Sequence, residues 1–225
     1  GHTWEVQTPG VESDLYEVFF LDENYGWAVG NTATILHTKN GGDDWTIQKH
    51  GYVSGSYITS VYFADSLHGW TDGIAGSGEY FYTTDGGNNW EVAQIPGVSY
   101  SWEISSMNFC DSLYFWAITG PNEISHTEDG GITWIKNYSP AGWGEIFFIN
   151  HDTGWITRNS QIFRTNDRAL SWTEQDHNYQ GHDIYALCFT DPSHGWAAGS
   201  HILLRTSNGG ESWECYETDV LFLAI

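Results

Sequence analysis

The sequence predicts an all-β protein of the β-propeller type, and three observations lead to that prediction. A turn motif, Thr-x-Asp/Asn followed usually by Gly-Gly, two residues and Trp, occurs five times, and a partial copy stands at residues 1–4. Successive motif tryptophans lie 38 to 45 residues apart, which is close to the length of a four-stranded propeller blade. No segment shows helical periodicity over ten residues. The motif tryptophans are Trp4, Trp45, Trp90, Trp134, Trp172 and Trp213.

The motif has the composition of a hairpin turn, and Thr127 to Trp134 is its most regular copy. We expect the Asp or Asn side chain to accept hydrogen bonds from backbone amides two residues on, and the glycines to take positive φ. Because these side chains recur in every repeat, we assign them to turn structure rather than to catalysis or calcium binding. They are Asn40, Asp85, Asp129, Asp167 and Asn208. The fourth copy has Arg168-Ala169-Leu170 in place of Gly-Gly-x, so we expect its turn to differ locally.

Each repeat is predicted to form four strands, in the same order along the chain. An alternating apolar strand comes first, then a turn with Asp or Asn, and then a second strand that starts at a Trp usually preceded by Gly. The third strand runs into the motif and the fourth leaves from the motif Trp. The first strands are predicted at 17–21, 60–64, 106–110, 145–149 and 186–190, and the second-strand tryptophans are Trp27, Trp70, Trp116, Trp155 and Trp196. We expect both sets of tryptophans to pack between blades.

These repeats define the predicted domain organisation. We expect one propeller region over 1–225, with blade repeats near 8–49, 50–94, 95–137, 138–175 and 176–217. Residues 1–7 and 218–225 are predicted as single strands of further blades. The second of these segments ends in an apolar run, Val220 to Ile225, that would need a neighbouring blade to cover it. The sequence therefore predicts a section of a longer propeller.

The repeat unit resembles the BNR or Asp-box blade, Ser/Thr-x-Asp-x-Gly-x-Thr/Ser-Trp, of sialidases, some glycoside hydrolases and sortilin-like receptors. The longer pattern, exemplified by Trp27-Ala28-Val29-Gly30 before the motif, is more similar to the photosystem II stability/assembly factor-like repeats, which are also common in secreted bacterial proteins. The resemblance implies a blade fold over nearly the whole chain. In the assembly-factor family it also implies binding to a photosystem subunit with help from a basic surface. We do not transfer that partner, because this chain has only 7 Lys and Arg.

Charge and composition exclude several function classes. The chain has 29 Asp and Glu and a formal net charge of −22, which disfavours nucleic acid and anionic membrane surfaces. It has no apolar run long enough to insert into a membrane. The three cysteines do not form a disulfide framework, and we expect free thiols. No cofactor is predicted.

The residues give little support for catalysis. Sialidase chemistry needs an Arg cluster, and the Phe/Tyr-Arg-Ile-Pro signature is missing, since Phe163-Arg164 continues into Thr165-Asn166. Hydrolysis by two carboxylates stays open, but nothing in the sequence selects one pair. We also expect no metal site, although the loop with His177 and His182 between Asp176 and Asp183 has suitable ligand types.

The links between the fourth strand of one repeat and the first strand of the next do not repeat, and they carry extra aromatic residues. In a propeller such links gather on one face, around the mouth of the central channel, where binding usually resides. These residues either cover the blade ends or bind a ligand. The predicted ligand-binding residues are Tyr57, Tyr100, Trp102, Tyr138, Trp143, Tyr179 and His182.

The function predicted from these observations is a non-enzymatic extracellular binding or adhesion scaffold for a glycan or a protein or peptide segment. The first alternative is an Asp-box glycoside hydrolase, and the second is a structural surface or filament subunit. The predicted location is extracellular or at the cell surface, with the periplasm as an option.

Overall fold

The computed structural model describes residues 6–7, 9–51, 56–74, 78–98, 104–140, 144–179 and 181–221. Over these residues the protein is all-β, with five antiparallel sheets that correspond to the five repeats. The described residues include no helix that is long and apolar enough to cross a membrane. The chain divides into two compact units, Gly1–Ile104 and Ser105–Ile225.

The first unit holds blades one and two. The strands of blade one are β1 (Leu15–Phe20), β2 (Gly26–Gly30), β3 (Thr34–Thr38) and β4 (Thr46–Lys49). Those of blade two are β5 (Val61–Phe63), β6 (Gly69–Ile74), β7 (Glu79–Thr83) and β8 (Glu91–Gln94). In both sheets the strands lie in chain order, each antiparallel to the next. This is the blade meander.

The second unit holds blades three, four and five. Blade three has β9 (Met107–Phe109), β10 (Phe115–Gly120), β11 (Glu123–Thr127) and β12 (Ile135–Tyr138). Blade four has β13 (Ile146–Phe148), β14 (Gly154–Arg158), β15 (Gln161–Thr165) and β16 (Thr173–Gln175). Blade five has β17 (Ile184–Phe189), β18 (Gly195–Thr206) and β19 (Glu214–Leu221). The single strand β18 covers the second and third positions of the repeat, and His201 within it has φ 62°.

The predicted fold class is confirmed, and the structure refines the strand limits. Most predicted first strands are longer than the observed ones, as at 60–64 against Val61–Phe63. The last strand differs more, because Leu221 pairs with Ser200 and so continues β19. The segment assigned to a new opening strand at 218–225 therefore contributes its first residues to blade five. Residues 1–5 and 222–225, predicted as parts of further blades, lie outside the described residues.

Within each unit, neighbouring blades pack through one recurrent pair of faces. We call the second-strand Trp and third-strand Ile of a blade its Trp face. We call its first-strand aliphatic residue and Phe, with the third-strand Phe or Leu, its Phe face. In the first unit Trp27 and Ile35 share a buried cluster with Val61, Phe63 and Phe81. In the second unit the corresponding clusters join blade three to blade four and blade four to blade five.

The glycine that precedes most second-strand tryptophans has a packing reason. A Cβ built at Gly154 would lie 2.6 Å from the ring of Phe148 on the paired first strand. The same closeness holds at Gly26, Gly69 and Gly195. Blade three has Phe115 there instead, and its ring packs against Phe109 with centroids 4.8 Å apart. The backbone at this position thus leaves room for the first-strand Phe ring.

Candidate functional site

The motif turns are organised by the Thr hydroxyl as well as by the Asp or Asn. In the third copy Thr127 Oγ1 accepts hydrogen bonds from Gly131 N at 2.8 Å and Asp129 N at 3.3 Å, and donates to Asp129 Oδ1 at 2.9 Å. Asp129 Oδ1 accepts from Thr133 N, four residues on rather than two, at 2.8 Å. Hydrogen bonds from the Thr133 hydroxyl and amide hold the pKa of Asp129 below its usual value. The carboxylate is thus bonded within its own turn.

The fourth motif turn keeps this arrangement, so the expectation of a different turn is wrong. Ala169 N donates to Thr165 Oγ1 at 3.1 Å, and Ser171 N donates to Asp167 Oδ1 at 2.9 Å. Arg168 and Ala169 adopt the φ values of the replaced glycines, 61° and 67°. Such φ values are uncommon for residues with a Cβ. The hydrogen bonds of the motif therefore impose the left-handed conformation even without glycine.

The hydrogen bonds predicted for the motif occur in the other turn of each blade, between the first and second strands. Asp22 Oδ1 accepts from the amides of Asn24 and Tyr25, both at 2.8 Å. The equivalent acceptors in blades two to five are Asp65, Asp111, Asn150 and Asp191. These are Asx turns, in which the side chain bonds to amides two and three residues on. Each blade therefore has two turns that are stabilised by side-chain hydrogen bonds.

The predicted ligand-binding residues are only partly described by the structure. Tyr100, Trp102 and Trp143 lie outside the described residues. In the first unit Tyr57 is exposed and its backbone forms an isolated bridge with Asn31. The remaining three residues belong to the second unit.

Two of those three are brought together. Tyr179 and His182 lie in the link that leads into blade five, with ring centroids 6.1 Å apart. The Tyr179 hydroxyl donates a hydrogen bond to Glu217 on β19, and this bond raises the pKa of Tyr179. Tyr138 stands apart at the end of β12, with 72% of its surface exposed.

An open pocket lies beside this link. Its volume is about 490 Å³, and it is lined by His182, His201, Glu217, Thr218 and Asp219. The lining combines carboxylates with imidazoles and contains no Lys or Arg among the described residues. A pocket of this composition can hold a cationic or hydrogen-bond-donating group, with the Tyr179 ring nearby.

His177 is used internally rather than as a metal ligand. Its Nε2 donates to the carbonyl oxygen of Ser160 at 2.6 Å, and its Nδ1 accepts from Tyr179 N at 3.2 Å. Both ring nitrogens are therefore occupied in holding the link in place. Among the described residues, no group of three or more His, Cys, Asp or Glu side chains has metal-binding geometry.

Sequence reasoning missed the partners on β18 and β19. His201, Glu217 and Asp219 do not follow the repeat pattern, and the run from Glu214 to Asp219 is unusually acidic for a fourth strand. The acidity of that run is the sequence feature that could have indicated the site. The run belongs to a strand rather than to a link, and the ligand-binding residues were predicted from the links alone.

A buried carboxylate in the first unit was also missed. Asp72 is 2% exposed and occupies the place that Val29 holds in blade one. It accepts a hydrogen bond from Thr59 N at 2.9 Å and another from the Thr59 hydroxyl. Burial raises the pKa of Asp72 to about 7, although these hydrogen bonds act to lower it. The signal was a charged residue at an apolar position of the repeat.

The hydrogen-bonded turns and antiparallel blades define an Asp-box β-propeller repeat protein. Residues 1–91 match the family model described as "Photosynthesis system II assembly factor YCF48". The predicted resemblance to photosystem II assembly factor-like repeats is thus confirmed for these residues.

Individual relatives extend the match along the chain. The photosystem II stability/assembly factor HCF136, chloroplastic, of Arabidopsis thaliana is 22% identical over 95% of this chain, which spans 59% of that protein. The photosystem II assembly protein Ycf48 of Synechococcus sp. (strain JA-2-3B'a(2-13)) is 23% identical over 94% of this chain and 78% of its own length. A solved structure described as "YCF48 bound to D1 peptide" has a TM-score of 0.51 at 21% identity, and covers 93% of this chain and 82% of that chain.

These relatives correct the predicted function. They are named assembly factors, and one is solved with a peptide. The prediction of an extracellular adhesion scaffold is therefore wrong, and so is the alternative of a glycoside hydrolase. The structural-subunit alternative gains no support from these names. A protein or peptide partner is the part of the prediction that the relatives support, whereas a glycan is unsupported.

Proposed function

We propose that this protein is a non-enzymatic assembly factor that binds a peptide segment of a client protein. The observation that carries the proposal is the pocket beside Tyr179 and His182, in the non-repeating link that leads into blade five. The names of the relatives supply the class of function, since they are assembly factors and one holds a D1 peptide. A D1 peptide is therefore the first ligand to test.

The charge of this chain sets the chemistry of the peptide. Glu217 and Asp219 line the pocket, and the whole chain has a net charge of −22. A segment with Lys or Arg side chains complements this field, and the Tyr179 ring offers a face for a guanidinium group. The proposed contacts are Tyr179 and His182 with Glu217 and Asp219. Tyr57, Tyr100, Trp102, Tyr138 and Trp143 remain proposed ligand-binding residues.

The proposed location is a membrane surface outside the cytoplasm. A relative from Synechococcus sp. (strain CC9902) is named a photosystem II assembly lipoprotein. A lipid-anchored assembly factor would meet segments of a membrane protein client as they emerge. This proposal keeps the predicted location outside the cytoplasm, in which the periplasm was an option, and narrows it to a membrane surface.

Peptide binding tests the proposal directly. Fluorescence anisotropy would use labelled synthetic peptides tiled along D1, each with a version in which Lys and Arg are replaced by Glu. We expect the cationic peptides to bind and the reversed versions to bind at least about tenfold more weakly, a difference of ~1.4 kcal/mol. The double variant Glu217→Gln, Asp219→Asn should weaken cationic peptides by a similar factor and reduce the salt dependence of binding.

The matched control is Glu211→Gln, which removes an exposed acid from the motif turn of the same blade. It should leave peptide affinity unchanged. The proposal fails if no peptide binds, or if the control weakens binding as much as the double variant does.

A further inference from the structure

A second open pocket, of about 450 Å³, lies in the first unit. One wall is formed by β3, β4 and the motif turn between them, and the other by the motif turn of blade two. Blade one contributes His37, Lys39, Asp44 and Gln48 among others, and blade two contributes Gly87. Both walls therefore belong to neighbouring blades of the same unit.

Gln48 determines which nitrogen of the His37 ring carries the proton. Trp90 Nε1 can only donate, and it donates to Gln48 Oε1 at 3.4 Å. The carbonyl oxygen of Gly86 can only accept, and it accepts from Gln48 Nε2 at 2.7 Å. The NH₂ group of Gln48 therefore faces His37 Nδ1, at 3.3 Å, and this nitrogen is the acceptor. In the neutral ring the N–H group is then at Nε2.

This N–H group is a buried donor. His37 is 5% exposed, and its ring stacks on Trp27 with centroids 4.7 Å apart. Burial lowers the pKa of His37 to about 4, so the ring is neutral at pH 7. Within the part of the chain that the structure describes, His37 Nε2 makes no hydrogen bond. Such a donor costs free energy until it finds an acceptor, and the pocket is where an acceptor can approach.

Blade three shows which acceptor suits this position. His126 is the equivalent of His37, and its Nδ1 lies 3.4 Å from the amide nitrogen of Asn137 as that of His37 faces Gln48. Its Nε2 lies 3.8 Å from Glu128 Oε1. The same carboxylate oxygen accepts from Arg168 Nη1 at 3.2 Å. A carboxylate therefore lies between an imidazole N–H group and a cation.

Blade one keeps the imidazole but has a cation where blade three has the acid. Lys39 occupies the position of Glu128, two residues after the histidine, and Gly86 occupies that of Arg168. The positive charge is thus on residue 39, in the pocket wall. One oxygen of an incoming carboxylate can accept from His37 Nε2 and the other from the Lys39 ammonium group, and charge-assisted hydrogen bonds of this kind are the stronger ones.

The acid in the same wall is held by its own turn. Asp44 Oδ2 accepts from Asn40 Nδ2 at 3.0 Å, and Asp44 N donates to Asn40 Oδ1 at 3.0 Å. Its negative charge opposes a second carboxylate nearby. Removing that charge should therefore strengthen binding, whereas removing the Lys39 charge should weaken it.

We propose that the pocket of His37 and Lys39 binds a carboxylate group, presented either by a small free acid or by an acidic side chain of a peptide. The carboxylate takes the place that Glu128 fills in blade three. The volume of the pocket is in the range of small-ligand sites. This inference does not depend on the proposed binding of a cationic peptide, which concerns a different pocket in the other unit.

NMR of ¹⁵N-labelled histidine side chains follows the His37 ring directly, and the His37→Phe variant assigns its signals. The probes are acetate, a small free acid, and glutamate blocked at both its amino and carboxyl ends, which models an acidic side chain. Blocked glutamine is the neutral control. We expect the Nε2 signal of His37 to shift saturably with a carboxylate and not with blocked glutamine. Tighter binding of acetate would assign the free acid, and tighter binding of blocked glutamate the side chain.

Variants at exposed residues of the pocket test the roles of the two charges. Lys39→Met should weaken binding at least about fivefold, since it removes a charge-assisted hydrogen bond. Lys39→Glu supplies an internal carboxylate, as Glu128 does in blade three, and should abolish the response. Asp44→Asn keeps an acceptor for Asn40 and should strengthen binding about twofold. The matched control is Lys136→Met, which removes a cation from the other unit and should leave the affinity unchanged.

Thermal melts check that each variant is folded. The proposal is overturned if neither carboxylate moves the His37 signal at up to about 50 mM, a range that detects millimolar affinity. It is also overturned if blocked glutamine moves the signal equally, or if Lys39→Glu keeps the response of the wild type. A loss of affinity in Lys136→Met as large as that in Lys39→Met would likewise show that the site is not at Lys39.

Discussion

At the scale of single residues, side-chain oxygens determine the turns of this protein. Asp129 accepts hydrogen bonds from the amide and hydroxyl of Thr133 and from the hydroxyl of Thr127. A backbone amide that loses such an acceptor must find water or stay unpaired. The recurrence of this pattern across the repeats assigns these carboxylates to the fold.

Asp129→Ala should therefore lower the free energy of unfolding measurably, because the amide and hydroxyl of Thr133 lose their acceptor. Peptide affinity should not change, since the side chain is bonded within its own turn. Urea denaturation followed by Trp fluorescence measures the loss. Asp43→Ala, at an exposed acid of another motif turn, is the control and should be near neutral. Equal losses in the two variants would contradict the assignment.

Asp72 gives a prediction for how the stability of the fold depends on pH. Its folded-state pKa of about 7 lies above the ~3.9 of an unfolded Asp. The folded state therefore favours the protonated carboxyl, and this contribution is complete below pH ~4 and is lost as the pH rises through 7. Between pH 5 and pH 8 the wild type should lose about 1–3 kcal/mol more stability than Asp72→Asn.

Urea denaturation at several pH values measures the free energy of unfolding of both proteins. The difference between the two values cancels the contribution of the histidines, which both proteins contain. The histidine effect has the opposite sign, because burial lowers the pKa of His37 to about 4 and so disfavours the fold as pH falls. Parallel stability curves for the wild type and Asp72→Asn would show that Asp72 does not titrate in this range.

At the scale of elements, the repeat pattern predicted the blades well because equivalent strands make equivalent packing contacts in each blade. The positions of Trp27, Trp116 and Trp155 at buried interfaces followed from periodicity alone. The role of Gly154 did not, because a glycine before Trp suits a turn as well as a ring contact. The continuous β18 was also unpredicted, because the repeat pattern places two separate strands over these residues.

The candidate site was less predictable than the fold. Tyr179 and His182 were found because they break the repeat pattern in a link. Glu217 and Asp219 lie near them on β19, which is distant in the sequence, and only the folded structure shows this contact. Repetition identifies what the fold needs, whereas a binding site depends on residues that do not repeat.

Gly154→Ala tests the packing of a strand on its neighbour. The new Cβ would meet the Phe148 ring at 2.6 Å, so the ring and the Trp116 stacked on it must shift. Overpacking of this kind costs about 1–3 kcal/mol. Gly120→Ala is the control, because its Cβ would meet only Glu123 Cβ at 3.5 Å, an ordinary contact. Thermal unfolding should separate the two variants, and equal melting temperatures would count against the packing argument.

At the scale of the whole molecule, the dominant feature is the excess of acidic residues, 29 against 7 basic ones. Ion pairs do little to offset it. Those of Arg168 with Asp152 and of Lys136 with Glu123 join side chains that are largely exposed, and such pairs contribute little to stability. Self-repulsion among like charges therefore acts against the compact state.

Salt should accordingly stabilise the protein. Raising NaCl from 0.02 to 0.3 M shortens the Debye length from roughly 20 Å to about 6 Å, so the repulsion among exposed carboxylates is screened in the folded chain. We expect the melting temperature at pH 7.5 to rise by several degrees, as a change of about 1 kcal/mol produces. Near pH 4.4, where the net charge is close to zero, the same addition of salt should have little effect. A melting temperature that falls with salt at pH 7.5 would mean that attractive pairs outweigh the repulsion, because screening weakens whichever interaction dominates.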